Sequence, residues 1–391
     1  MKVVFLVSNY PNANNPVAGN FYKRMTEALV RQGVEVTVYA LTPYSNKLMG
    51  KFSERLDLYS KYPKYEEING VKIIRPQYLN FPKFQRLGLS HYLMYWALNE
   101  HHNFAKYDII NAEYAYPFGL LARLLQLKYN LPYTVNYIGD DVNIDPFLSS
   151  RLRKLFLRSI EHANARISVS EELAKVAKEL SGFDSVVINH GLDLRQIEKV
   201  TYSKLIRKEQ TKYFLYVGEL SFAKGTHLII KLIENEEWAR DENIQWILIG
   251  QGSLAADLEK FSNVQLKGLL NNDDVVSYMK HSDYFIFPSL NEGMPNVLKE
   301  AGACNLPVLS SDVGGIPNLL KNGERGLMFK GGDYDDFKIN LKNMLQNPHQ
   351  VKIKSDCLHE HIYQYYDVDK NASQLIKTYE MALQNYKSKE K

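Results

Sequence analysis

The chain has 391 residues, of which 45% are hydrophobic and 24% are charged, so it is long enough for two globular domains and is neither disordered nor repetitive. A net charge of only +4, without a Lys/Arg-rich arm, argues against a nucleic-acid-binding protein. Two cysteines without C-x-x-C spacing argue against a disulfide framework or a structural zinc site, and they fit the reducing cytoplasm.

The charge is unevenly divided along the chain. Residues 1–200 carry 25 Lys/Arg and 19 Asp/Glu, whereas residues 201–391 carry 23 and 25. The N-terminal half is therefore better suited to an anionic surface. The apolar start at 2–7 is too short for a signal peptide and no run reaches 18 apolar residues, so we expect a protein that is neither exported nor membrane-spanning.

The first half of the chain alternates strands with helices. Residues 3–7 form a buried strand, a polar loop follows at 8–16, and Gly19 then opens a helix. A glycine there lets backbone approach a phosphate, although a plain strand-to-helix connection has the same pattern. Further strands are predicted at 34–39, 71–74, 108–111 and 132–135, with helices at 92–99 and 119–127. This alternation predicts parallel βαβ units.

A polar loop at 136–143 follows the strand at 132–135 and contains Gly139, Asp140 and Asp141. Ligands of open α/β sheets bind at the carboxyl ends of the strands, so this loop is a candidate site.

The segment 150–166 predicts an amphipathic helix with a strongly basic side. Such a helix could lie on an anionic membrane, and the apolar, basic segment 81–87 adds to that interpretation. The alternative is a helix whose apolar stripe faces the domain core. The pattern alone does not separate the two.

The charged segment 194–212 lacks periodicity and is predicted to be the interdomain linker. A strand at 213–217 follows, and the next loop brings Lys224 to a helix start, where a lysine suits a phosphate. Buried strands are also predicted at 246–249, before Gly250 and Gly252, and at 264–269.

The stretch at 292–300, EGMPNVLKE, follows the apolar strand 284–288. Gly293 permits a tight turn and Pro295 suits the first position of a helix, whose free N–H groups can seat a phosphate. Glu292 then lies just before the helix and Glu300 within it, at most about 12 Å apart. Two such glutamates could also be a solvated helix face. As ligands, they would suit the hydroxyl groups of sugars.

Short motifs surround this stretch in a fixed order, namely PS at 288–289, AGAC at 301–304, PVLS at 307–310 and DVGGIP at 312–317. The series resembles the donor-binding region of the GT-B retaining glycosyltransferases, family 4. The resemblance covers nearly the whole chain, and its most specific motifs lie within 213–333.

The resemblance implies an α/β protein with the GT-B fold, in which two Rossmann-like domains face each other across a cleft. We expect an acceptor-side domain at 1–195, a nucleotide-sugar-binding domain at 210–370, and a C-terminal helix at 371–391 that packs back on the first domain.

The donor would be a nucleotide-diphospho-sugar, and the resemblance assigns its contacts. The sugar would meet Glu292, Met294 and Pro295, and the ribose would meet Glu300. The remaining assignments place the diphosphate at Lys224 and the amides of Asn296 and Val297, near Gly19, and the base near Leu269.

The resemblance implies that Glu292 and Asp141 are the catalytic residues, and that Gly139 and Asp140 lie on the acceptor side. Three positions depart from the family pattern: Ile138 replaces a histidine, Glu219 an arginine and His190 an asparagine. A glutamate facing a diphosphate would cost about 4 kcal/mol at 4 Å, so Glu219 must be turned away, be paired or mark a weaker donor site.

The implied reaction is sugar transfer to a hydroxyl with retention of anomeric configuration, without a metal or other cofactor. The acceptor would be a saccharide or a lipid-linked acceptor, and the reaction would serve the synthesis of a bacterial envelope or capsule polysaccharide. The enzyme would act in the cytoplasm or at the inner face of the plasma membrane. Two alternatives remain, a sugar-nucleotide epimerase or phosphorylase on the same fold, and a catalytically silent nucleotide-binding scaffold suggested by Ile138 and Glu219.

Overall fold

The computed structural model describes residues 1–15, 18–46, 48, 51, 53–80, 87–99 and 102–389. Of the basic, apolar segment 81–87, only Leu87 lies within the described residues. The chain divides into two compact units: unit 1 comprises Met1–Gly191 and Val368–Lys391, and unit 2 comprises Leu192–Asp367.

Unit 1 is built on an eight-stranded sheet in the order β10-β9-β8-β7-β1-β2-β5-β4, with a separate two-stranded pair of β3 and β6. Its strands are β1 Lys2–Val7, β2 Glu35–Ala40, β3 Thr42–Pro43, β4 Tyr65–Ile68, β5 Val71–Ile74, β6 Gln77–Tyr78, β7 Ile109–Glu113, β8 Tyr133–Tyr137, β9 Ala165–Ser168 and β10 Val186–Val187. All pairs are parallel except β4 with β5. Alternate residues of β1 enter two different core clusters, which explains its unbroken apolar sequence.

The helices of unit 1 cover both faces of this sheet. Those described within Met1–Gly191 are α1 Asn20–Arg31, α2 Glu54–Ser60, α3 Ser90–Asn99, α4 Leu120–Tyr129, α5 Asp140–Asn143, α6 Asp145–Leu148, α7 Ser150–Glu161 and α8 Glu171–Ser181, with a wide helical turn at Ala115–Gly119 before α4. The neighbours of β1 are β2 on one side and β7 on the other, so the order reverses there. In open α/β sheets that reversal opens a crevice at the carboxyl ends of the strands.

Unit 2 has a six-stranded, fully parallel sheet in the order β13-β12-β11-β14-β15-β16. Its strands are β11 Lys212–Val217, β12 Ile244–Ile249, β13 Val264–Leu266, β14 Tyr284–Phe287, β15 Val308–Ser311 and β16 Leu327–Phe329. Its helices are α9 Leu194–Lys199, α10 Thr226–Asn235, α11 Ala255–Leu258, α12 Asn272–His281, α13 Asn296–Ala303, α14 Ile316–Leu319, α15 Tyr334–Gln346 and α16 Pro348–Tyr365, with short 3-10 turns at Glu237–Arg240 and Lys321–Gly323. Both units are therefore Rossmann-like, as predicted.

The segment 194–212 is not a free linker but part of unit 2. It contains α9, and four of its apolar side chains lie in the core of unit 2: Leu194, Ile197, Val200 and Leu205. The charged residues between them hid this apolar set from the sequence pattern.

The last helix, α17 Val368–Lys389, belongs to unit 1. Its buried residues Ala372, Leu375, Tyr379 and Ala382 pack in the same core cluster as α1. Among the helices of the described residues, none is both long enough and apolar enough to cross a bilayer.

Candidate functional site

In unit 2, the candidate site lies where two neighbouring strands end. Because β11 and β14 are parallel neighbours, the loops that leave their carboxyl ends meet at one edge of the sheet. Gly225 has a φ of +73°, and a Cβ there would lie 1.8 Å from the carbonyl oxygen of Pro288. Only a glycine at 225 lets the two loops approach this closely.

Lys224 and Glu292, which the resemblance assigns to different parts of one ligand, are in direct contact. Lys224 Nζ donates to Glu292 Oε1 at 2.6 Å, and Ser289 Oγ donates to the same oxygen at 2.8 Å. The Glu292 side chain is 13% exposed and that of Lys224 is 33% exposed. Since an ammonium group has three N–H donors, Lys224 can keep Glu292 and still bind a second anion.

The turn at 314–315 holds the backbone of the Glu292 loop. Gly314 has a φ of +57°, and a Cβ there would lie 1.8 Å from the carbonyl oxygen of Glu292. The N–H of Gly315 donates to the carbonyl of Gly293 at 2.7 Å. The two glycines of the DVGGIP motif therefore position Glu292 through its backbone.

The helix α13 begins one residue later than the sequence predicted. Pro295 has an extended ψ of 122° and precedes the helix, whose first residue is Asn296. Asn296 is exposed and Val297 is half-buried, and the first N–H groups of a helix have no partner within it. The helix start is therefore suited to an anion, with Glu300 half-buried four residues further on.

Three other predicted positions of unit 2 differ in how much of the side chain is exposed to solvent. Met294 is half-buried and packs on the core of unit 2, whereas Leu269 is largely exposed. The Glu219 side chain is exposed, and its backbone carbonyl accepts a hydrogen bond from the Tyr216 hydroxyl at 2.7 Å. In water, the cost of a like charge at 4 Å falls to about 1 kcal/mol, so Glu219 is compatible with anion binding.

In unit 1, Asp141 is buried and holds backbone. Its Oδ2 accepts the N–H of Ala115 at 2.9 Å, and its Oδ1 accepts those of Ile138 at 3.1 Å and Gly139 at 3.0 Å. Burial raises the pKa of Asp141 to about 6, and these amides oppose the rise. The geometry makes Asp141 the anchor of the loop, and its catalytic role stays a prediction.

Asp140, beside this anchor, is exposed and lines a cavity of 340 Å³ in unit 1. Among the described residues, the charged ones that line it are Asp140 and Asp145; burial first, and then the charge of Asp140, raises the pKa of Asp145. The other polar lining residues are Ser8, Tyr59, Tyr78, Asn80, Ser90, Tyr114 and Tyr116. The predicted acceptor-side residue thus lies in a pocket of hydroxyl groups, aromatic rings and carboxylates.

Tyr114 in this pocket has a backbone conformation rare for a non-glycine residue, with φ +86° and ψ 135°. Its N–H donates to the carbonyl of Asn136 at 3.0 Å. Burial and the charges of nearby carboxylates, Asp141 first, raise the pKa of Tyr114 to about 12. Local strain of this kind is typical of functional sites.

Glu113, the last residue of β7, is a functional candidate that the sequence analysis missed. It is buried, and Asn111 and Asn136 each donate a side-chain N–H to its Oε1 at 2.7 Å. Among the described residues, its buried Oε2 has no hydrogen-bond partner. Burial raises the pKa of Glu113 to about 7. The polar alternation of Asn111 and Glu113 within a buried strand was the available signal.

The remaining predicted positions of unit 1 are structural in their contacts. Gly19 has a φ of +74° just before α1, as expected for a residue that opens the helix, and a Cβ there would lie 2.5 Å from Asn9 Oδ1. His190 stacks on Phe21 with ring centroids 4.3 Å apart. Gly139 is half-buried beside Asp141.

Two family models match the chain in succession. The model described as Glycosyltransferase Family 4 matches residues 18–196, and that described as Glycosyl transferases group 1 matches residues 200–358. Together they cover most of both units.

Individual proteins with a similar sequence or a similar fold agree with these two matches. The chain is 28% identical to the putative teichuronic acid biosynthesis glycosyltransferase TuaC of Bacillus subtilis, over 97% of this chain and 98% of that protein. Sucrose-phosphate synthase from Thermosynechococcus elongatus has the same fold, with a TM-score of 0.70, 19% identity, and coverage of 97% of this chain and 98% of that one. HepE of Anabaena in complex with UDP has a TM-score of 0.65 and 16% identity, with coverage of 97% and 99%.

Proposed function

Because the chain belongs to the family 4 glycosyltransferases and has the GT-B fold, we propose that it transfers a sugar from a nucleotide-diphospho-sugar to a hydroxyl acceptor with retention of anomeric configuration. The role is polysaccharide biosynthesis, in a bacterial cell envelope or capsule. The similarity to a teichuronic acid glycosyltransferase supports that role, and the UDP complex of HepE supports a nucleotide donor.

The observation that carries the proposal is the grouping of Lys224, Glu292 and the start of α13 at one edge of the unit 2 sheet. A cation and free helix N–H groups bind a diphosphate, and a carboxylate beside them binds a sugar hydroxyl. We assign the diphosphate to Lys224 and the amides of Asn296 and Val297, and the ribose to Glu300. We assign the sugar to Glu292 with the turn at 294–295, and the base to the loop of Leu269.

In the proposed reaction, the bond between the anomeric carbon and the diphosphate oxygen breaks. The acceptor oxygen forms its new bond on the same face of the sugar, and its proton passes to the departing phosphate. The role of the chain is to position both substrates and to stabilise the charge that develops on the diphosphate. Lys224 and the α13 amides supply the positive charge and N–H donors for this stabilisation, so we expect transfer without a metal ion.

The acceptor is assigned to the pocket of Asp140 and Asp145 in unit 1. Its volume of 340 Å³ lies at the small end of the 300–1,000 Å³ typical of ligand pockets, as suits one or two sugar rings. Tyrosine rings offer apolar faces with a hydroxyl tip, and carboxylates accept pairs of sugar hydroxyls. We therefore propose a saccharide acceptor, free or lipid-linked, used in the cytoplasm or at the inner face of the plasma membrane.

The donor assignment is tested by thermal shift with a panel of nucleotide-sugars. Glu300→Ala should reduce the stabilisation seen in the wild type, because a ribose contact is lost. Glu259→Ala, at an exposed glutamate of the same unit, is the matched control. Stabilisation of Glu300→Ala equal to that of the control would remove the ribose role.

Product analysis separates the proposal from its alternatives. A transferase yields a glycoside whose anomeric proton shows the donor configuration, and chelation of metals leaves its rate unchanged. A rearranged or phosphorylated sugar formed without an acceptor would indicate an epimerase or a phosphorylase. Nucleotide binding without turnover across a broad set of glycosides would indicate a silent scaffold, the alternative that the sequence at Ile138 and Glu219 raised.

A further inference from the structure

The helix α7 does not use its apolar stripe to meet a membrane. Leu152, Leu155, Phe156 and Ile160 are buried, and Ser149 caps the first turn, since its Oγ accepts the N–H of Leu152 at 3.2 Å. The core alternative for this stripe is therefore confirmed. What α7 leaves in solvent is its basic side.

Three cations on that basic side line a groove of 350 Å³, formed with α3 and α4. They are Arg151, Lys154 and Arg158, and Arg123 of α4 joins them. None of the lining residues that the structure describes is acidic; the others among them are Gly88, Leu89, His91, Tyr92, Leu120, Leu124 and Leu155. Among the described residues, no carboxylate forms an ion pair with Arg151, Lys154 or Arg158. Cations gathered without counter-charges favour an anionic ligand.

Large apolar side chains are exposed on α3, which helps to form this groove, and on α6, which directly precedes α7. Tyr92, which lines it, and Trp96, one turn further along α3, are both more than half exposed. Phe147 and Leu148, at the end of α6 just before Arg151, are 65% and 59% exposed. A soluble anion would account for the cations but not for these side chains. Exposed aromatic rings beside arginine and lysine are typical of protein surfaces that lie in the headgroup layer of a membrane.

We propose that this docking face, made of the groove and the exposed side chains of Tyr92, Trp96, Phe147 and Leu148, binds the surface of an anionic phospholipid bilayer. Lipid phosphates occupy the groove, and the aromatic and leucine side chains enter the headgroup layer. The docking face lies wholly within unit 1 and uses none of the residues assigned to donor or acceptor. Its function is to hold the enzyme at the membrane, where lipid-linked saccharides are found.

The proposal predicts binding to vesicles that depends on lipid charge and on three named cations. The wild type should co-sediment with vesicles of phosphatidylcholine and phosphatidylglycerol and not with phosphatidylcholine alone. The triple variant Arg151→Gln, Lys154→Gln, Arg158→Gln should bind about a hundredfold more weakly. The matched control carries Lys106→Gln, Arg153→Gln and Lys175→Gln, which remove the same charge from exposed positions outside the groove, and should bind within twofold of the wild type.

Tryptophan fluorescence gives a second readout. Trp246 is buried and Trp238 is half-buried, whereas Trp96 is 59% exposed. Anionic vesicles should therefore shift the emission to the blue in the wild type and leave that of Trp96→Phe unchanged.

Equal binding by the two triple variants, or equal binding to neutral vesicles, would overturn the docking face. So would full displacement by millimolar glycerol 3-phosphate at constant ionic strength, which would indicate a site for a soluble phosphate ester. Donor-induced thermal stabilisation of the triple variant should match the wild type. These measurements therefore test the docking face independently of the transfer reaction.

Discussion

Replacing Lys224 by methionine should weaken nucleoside diphosphate binding by roughly 10- to 150-fold. A hydrogen bond to a charged group contributes about 1.5–3 kcal/mol, and every 1.4 kcal/mol is tenfold in affinity. The upper end is favoured because Lys224→Met also leaves Glu292, now 2.6 Å from the ammonium group, as an uncompensated negative charge beside the diphosphate.

That second effect can be separated in a double-variant cycle. Glu292→Gln in the Lys224→Met background removes the repelling charge and should recover about tenfold in affinity. Glu292→Gln alone should bind nucleoside diphosphate at least as well as the wild type, because Lys224 is then released. It should nevertheless lose the extra affinity that the sugar adds to a nucleotide-sugar.

Isothermal titration calorimetry with the nucleoside diphosphate that stabilises the wild type most is the assay. The matched control is Lys260→Met, which breaks an exposed pair between Lys260 and Asp257, with 2.7 Å between their charged atoms, elsewhere in unit 2. The reasoning is refuted if Lys224→Met binds as tightly as Lys260→Met. It is also refuted if the double variant binds no better than Lys224→Met.

Three further predictions concern stability, pH and the acceptor. Gly225→Ala should destabilise the protein by at least about 2 kcal/mol more than Gly268→Ala in thermal unfolding, because both have positive φ but only at 225 would a Cβ meet backbone. Equal losses would show that the contact relaxes freely. The folded protein binds the Glu113 proton more tightly than the unfolded chain does, so the free energy of unfolding should fall as pH rises from about 4.5 to about 7. Glu113→Gln should remove up to ~3 kcal/mol of this fall, as measured by urea unfolding across that pH range. Parallel stability curves for the wild type and Glu113→Gln would contradict this prediction. Asp140→Asn should raise the acceptor KM about tenfold and leave the donor KM unchanged. The control Asp184→Asn, at an exposed aspartate outside the pocket, should change neither value. Equal acceptor KM values for the two variants would remove Asp140 from the acceptor site.

The two Rossmann-like units could be predicted from the sequence because parallel strands buried on both faces have continuous apolar runs. The runs at 3–7 and 284–288 correspond to the observed strands β1 and β14. The contact between Lys224 and Glu292 could not be predicted by spacing, since 68 residues separate them and only the order of strands in the sheet makes their loops neighbours.

The local sequence pattern also did not determine the surroundings of individual residues in the folded protein. The helix at 150–166 had an apolar stripe that suited both a core and a membrane, and only the packing of α7 shows that the stripe is buried. Pro295 fits a first helical position in composition, but its extended ψ of 122° leaves it just outside the helix. Glu113 was missed because a carboxyl in a buried strand is interpretable only once Asn111 and Asn136 are known to face it.

The discontinuous composition of unit 1 has a consequence for how the protein folds as it is synthesised. The sheet of unit 1 leaves the ribosome first, yet one of its core clusters requires Ala372, Leu375, Tyr379 and Ala382 of α17. Unit 2 must be translated in between, which takes on the order of ten to thirty seconds at 5–20 residues per second. During that interval unit 2 can complete its core while the part of the first core cluster that α17 covers is still exposed. The order in which the units mature is therefore the reverse of the order in which they begin, and this exposed part is the surface that chaperones would have to shield.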